Sequence, residues 1–224
     1  HSCGADLDLG DAVFLDTPSG IAAQDGRTAS IKLLAELRAD VHKPSNDGVR
    51  PLTDAARANH VDTAKLLLQL RADVNAQDNE GRTACLIAAM HGHDRVIRAL
   101  ISARASFIAE TSWQTTPIWV AAWEGHDRVI VTLARARASI DDATRQGSTP
   151  IAMAAQQSHE VVVRLLAHLG ARLLLPDGRG FWQSYHDADT RQRMCDFWRS
   201  VIDAGGDEPS SVCDAGAGRG APPR

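Results

Sequence analysis

Long apolar runs are missing from this 224-residue chain, and no charged-then-apolar leader opens it, so neither a membrane-spanning helix nor a secretory signal is expected. Cysteine is scarce and scattered. Cys3, Cys85, Cys195 and Cys213 contain no C-x-x-C pair and no dense spacing, which excludes the disulfide framework of a small secreted domain and points to free thiols in a reducing compartment. Positive charge is not in excess: the formal net charge is −4 and the pI is near 6.1, which argues against a nucleic-acid or anionic-membrane surface spanning the whole molecule. Catalytic signatures are missing too. There is no G-x-S-x-G, no G-x-x-x-x-G-K-[ST] and no H-E-x-x-H, and the GAGRG of the tail follows no strand and opens no helix. No catalytic residue, cofactor or small-molecule substrate is therefore expected.

What the chain has is repetition. Thr116-Pro117 recurs as Thr149-Pro150 and Thr17-Pro18, and in half-kept form as Arg50-Pro51 and Thr83-Ala84, each step being 33 residues. Ala121-Ala122 recurs as Ala22-Ala23, Ala55-Ala56, Ala88-Ala89 and Ala154-Ala155, and Leu133 as Leu34, Leu67, Leu100 and Leu166. A fixed period of this length marks a stacked array in which each unit is held by its neighbours. Thr17 and its equivalents suit the helix N-cap, and the proline after them suits the first helical position, where its missing N–H costs nothing. Paired alanines allow first helices to approach closely. His60, His93, His126 and His159 form a second ladder at the same period. Helices of successive units pack about 8–10 Å apart, whereas zinc needs nitrogen about 2 Å from one centre, so the ladder is no shared metal site. His91 and His93 flank Gly92 without a third and fourth ligand nearby. No metal is expected.

The pattern T-P-I-x-x-A-A-x-x-G-H, followed by apolar residues at helical spacing and then A-S or A-D, resembles the ankyrin repeat over roughly residues 12 to 205. The resemblance implies an all-α solenoid: a β-turn and two antiparallel helices per repeat, stacked into a curved array that binds other proteins. It suggests that the ladder histidines bond to neighbouring turns. On this reading residues 1–11 are the tail of a preceding repeat, so that the chain is a piece cut from a longer array. Five repeats follow at 12–44, 45–77, 78–110, 111–143 and 144–176. Residues 177–206, with Phe181, Trp182, Tyr185, Phe197 and Trp198, form a degenerate C-terminal cap, and residues 207–224, poor in large apolar side chains, are disordered. One departure is systematic. Where the family closes its second helix on a left-handed glycine, this chain has Arg38, Arg71, Arg104 and Arg137, with only Gly170 conforming.

The resemblance also implies which side chains meet a partner, namely those at the turn tips and those after the alanine pair. Here these include Arg82, Met90, His91, Trp113, Trp123, Glu124, Arg145 and Gln156. Trp123 is the expected anchor, because tryptophan dominates interface hot spots and a large apolar side chain left in a groove is usually covered by a partner. The pattern leaves Trp119 open between core and interface, and Gln114, in place of the turn glycine, leaves that turn's geometry open. The expected function is a non-catalytic scaffold or adaptor module docking a protein partner in its concave groove. The alternative is a targeting or regulatory array of a larger enzyme whose catalytic domain lies outside this chain. A soluble, cytoplasmic location is expected, with the nucleus open.

Overall fold

The computed structural model describes residues 16–108 and 111–172, together with Asp8, Gln192 and Asp196. Apart from Gln192 and Asp196, the expected cap over 177–206 lies outside the described residues, as does the expected tail over 207–224. Ten helices run through the described residues in five pairs: α1 (Pro18–Gln24) and α2 (Thr28–Glu36), α3 (Pro51–Arg57) and α4 (Val61–Gln69), α5 (Ala84–Met90) and α6 (Asp94–Ser102), α7 (Pro117–Glu124) and α8 (Asp127–Arg135), α9 (Pro150–Gln156) and α10 (Glu160–His168). Odd-numbered helices pack on odd-numbered neighbours and even on even, so the array is two parallel rows. No helix among the described residues is long and apolar enough to cross a membrane.

Each first helix starts where the sequence places it. The hydroxyls of Thr17, Thr83, Thr116 and Thr149 accept from the amides of Gly20, Leu86, Trp119 and Ala152, and proline follows three of those caps. At α3 the cap residue is Arg50, which makes no side-chain cap bond; it donates instead from Nη1 to the His42 carbonyl at 3.0 Å. The alanine pairs are buried. With only a methyl group to accommodate, the first helices lie close enough for Ile118, Ile130, Leu133 and their equivalents to join one continuous core.

Both helices of a pair end on a left-handed residue. After the first helix this is Gly26, Asn59, Gly92, Gly125 or Ser158, and after the second it is Arg38, Arg71, Arg104, Arg137 or Gly170, all with φ between 60° and 86°. The residue that follows donates back into the last turn, as in Ala105 N–H to Leu100 O at 3.0 Å and Ala138 N–H to Leu133 O at 3.1 Å, so the last carbonyls are satisfied. An arginine there costs about 1 kcal/mol in backbone strain. A cation beside the helix C-terminus returns about 0.3–1 kcal/mol, which is why the departure from glycine is tolerated four times.

The histidines tie the pairs together. Nε2 of His93, His126 and His159 donates to the carbonyls of Arg57, Met90 and Trp123, one repeat back, at 3.0, 3.1 and 2.8 Å. Burial holds the His93 ring below its ordinary pKa, with the charges of His91 and His126 acting in the same direction and the Arg57 bond opposing. The rings of His126 and His159 lie over the left-handed glycines before them: a Cβ built on Gly92 or Gly125 would stand 2.8 Å from the ring. Gly125→Ala is expected to cost about 1–2 kcal/mol, mostly backbone strain at φ +80°. Asn59 shows that the histidine bond survives a Cβ there, since His93 still reaches Arg57. Urea unfolding measures the loss; an unchanged midpoint would mean that the residue relaxes out of the left-handed region.

Candidate functional site

Four turns project between the pairs, at 45–48, 78–81, 111–114 and 144–147. Each closes by an i+3 amide to i carbonyl bond of 2.8–3.0 Å, from Gly48, Gly81, Gln114 and Gly147 to Ser45, Asp78, Thr111 and Thr144. The geometry left open at Gln114 is now plain. It adopts φ 55°, the glycine conformation without the glycine, and the Thr111 hydroxyl accepts from Thr115 N–H at 3.0 Å to brace it. Turn tips are linked in pairs. Asn79 N–H and Nδ2 donate to Asp47 O and Asn46 O at 3.0 and 3.1 Å, and Arg145 N–H donates to Trp113 O at 3.1 Å.

The three tryptophans have different environments. Trp119 is 6 % exposed, its indole N–H donates to Ser148 O at 3.0 Å, and it packs with Leu86, Val120, Met153 and the half-buried Met90. It belongs to the packed interior. Trp123, one turn later on α7, is 43 % exposed, and Trp113 on the 111–114 turn is 59 % exposed. Trp123 rests edge-on against Trp119, ring centroids 5.1 Å apart, so one indole of the pair is a foundation and the other lies on the surface.

The remaining expected residues are distributed along the same row. Glu124 and Gln156 end α7 and α9 with their side chains exposed, and Arg145 is exposed at its tip. His91 is exposed and stacks on His93 at 5.7 Å. Arg82 turns inward to its own loop, where its Nε donates to Asp78 Oδ2 at 2.7 Å and its Nη1 pairs with Glu80 at 2.9 Å, which holds the 78–81 turn. Among the described residues no cluster of His, Cys, Asp and Glu is arranged to hold a metal. Cys85 is buried and its thiol is pushed up to about 12, so thiolate chemistry is closed to it at neutral pH.

Sequence reasoning missed Asp54. It stands in α3 where other repeats have Ile21, Ile87, Val120 and Met153, and its carboxyl is raised from 3.8 to about 7, chiefly by burial. Arg57 lies 3.2 Å away and opposes that shift. Its side chain is 38 % exposed against 14 % for the acid, so water screens the cation while burial acts on the carboxyl in full. Asp16 adds a like-charge push. Gly20 leaves room, since a Cβ there would sit 3.3 Å from Asp54 Oδ2. An acid at an apolar register position was the available signal.

Compared with known proteins, residues 52–101 match the family model for ankyrin repeats in many copies. No curated protein matches the chain.

Proposed function

The chain is an ankyrin-repeat protein, and from that premise we propose that it is a non-catalytic scaffold or adaptor module whose first-helix row and turn tips dock a protein partner, with Trp123 as the anchor. Ankyrin repeats are in general protein-interaction modules. One observation carries the finer reading: two large indoles, Trp123 and Trp113, are left 43 % and 59 % exposed on one repeat. Trp123 is held in place by a buried indole beneath it, which limits the entropy lost on binding. Exposed, rigidly supported tryptophan is the composition of a hot spot. Glu124, Arg145 and Gln156 supply the polar rim expected around such an anchor.

Trp123→Ala is expected to weaken partner binding by about 2 kcal/mol or more, some 30-fold, while stability falls by only about 1 kcal/mol through the lost ring contact. Affinity capture from whole-cell lysate with wild type and variant side by side, followed by titration of the captured protein, measures it. Equal binding per folded molecule would remove Trp123 from the interface.

A further inference from the structure

Successive repeats are also joined by an oxygen that one exit loop offers to the next. Asn75 Oδ1 accepts from Ser106 N–H at 2.7 Å and Asp141 Oδ1 from Arg172 N–H at 2.7 Å. At the same register position the chain has His42 and Ile108. Isoleucine has no oxygen to offer, and His42 turns its ring to Leu70 O at 2.9 Å. Among the described residues the amides these two positions would have met, Asp73 N–H and Ser139 N–H, have no hydrogen-bond partner. Cavities open at both joints, about 180 Å³ beside His42 and Asp73 and about 530 Å³ beside Ile108 and Ser139.

The larger cavity has an apolar wall from Ala105, Phe107, Ile108 and Ala138, with Arg137 at its rim. Arg137 has no acidic partner among the described residues. Among the described lining residues the carboxylate is Asp142, which accepts from the Ser139 hydroxyl at 2.7 Å. Ser139, with its unpaired amide, and Arg137 therefore both line a space at the joint where the neighbouring joints hold a side-chain oxygen. We propose that this cavity is a receptor for a carboxylate carried on a short apolar stem: the carboxylate accepts from Ser139 N–H and pairs with Arg137, and the stem lies on Phe107 and Ile108. The ligand supplies from outside what Asn75 and Asp141 supply from within.

A free aliphatic carboxylate and an acidic side chain of a partner carry the same group. Sodium hexanoate probes the first and the blocked dipeptide acetyl-Leu-Glu-amide the second, each titrated at constant ionic strength into the ¹⁵N-labelled full chain while the Ser139 amide resonance is followed. A saturable shift with either probe is expected, and the tighter of the two identifies the source. Hexanamide, equal in size but neutral, is expected to bind several-fold more weakly. Ile108→Asn restores the internal oxygen at an exposed position and should weaken binding about tenfold or more by occupying the amide. Arg137→Gly suits φ 67°, so it folds, and should weaken binding about fivefold. No saturable shift of Ser139 with either carboxylate, hexanamide binding as tightly, or both variants retaining wild-type affinity would overturn the proposal.

Discussion

Trp119→Ala should destabilise the array by about 3–5 kcal/mol, the largest loss expected of any single substitution on the first-helix row. The indole is 6 % exposed and fills the space between Leu86, Val120 and Met153. Truncation therefore removes its transfer free energy, leaves a cavity, and strips the Ser148 carbonyl of its donor. Trp119→Phe isolates the last of these, since an aromatic ring stays and the N–H goes; about 1–2 kcal/mol is expected. Urea denaturation followed by circular dichroism measures both. Trp119→Ala also removes the support under Trp123, so binding should fall even among molecules that remain folded. A stability loss below about 1 kcal/mol would show that the neighbouring repeats close over the gap and that Trp119 is no foundation.

Asp54→Asn should make the protein more stable at pH 8 by about 2 kcal/mol while leaving it nearly unchanged at pH 4. The carboxyl's folded pKa, about 7, lies above the unfolded value of 3.8, so the folded state holds the proton more tightly. Its favourable contribution is complete below about pH 4 and is lost as pH rises through 7. A shift of this size corresponds to about 1.4 kcal/mol per pKa unit; the folded value already contains the opposing Arg57 charge, and residual solvent around the carboxyl scales the gain down to about 2 kcal/mol. Thermal unfolding of both proteins from pH 4 to pH 8 gives the curve. Parallel curves would mean that the acid is solvated in the folded chain.

Most of the architecture could be read from residue spacing because each joint is written with the same few side chains. The alanine pairs, the N-cap threonines, the left-handed exits and the histidine ladder each act within one repeat or between a repeat and its immediate neighbour, so a register of 33 residues carries the geometry with it. The site was less legible where an outcome depends on several repeats at once. Trp119 and Trp123 are four residues apart on one helix; which one is covered depends on Met153 and Ser148 from the next repeat and Leu86 from the one before. Arg82 reads as a contact residue by position but is occupied by Asp78 and Glu80 of its own turn. Asp54 needed Gly20 and Asp16 from the preceding repeat before its environment could be judged. The significance of Ile108 shows only against the oxygens that Asn75 and Asp141 place in the equivalent loops.

Every histidine bond in the ladder runs the same way, from a donor in one repeat to a carbonyl in the repeat before it. The repeats of His93, His126 and His159 thus each carry a plug that fits the socket of the repeat before. A duplicated unit can enter the gene anywhere in the series without a matching change elsewhere, whereas a single residue inserted within a unit would pull a plug from its socket on one side. The polarity of this imidazole contact thus suits an array whose step stays at 33 residues.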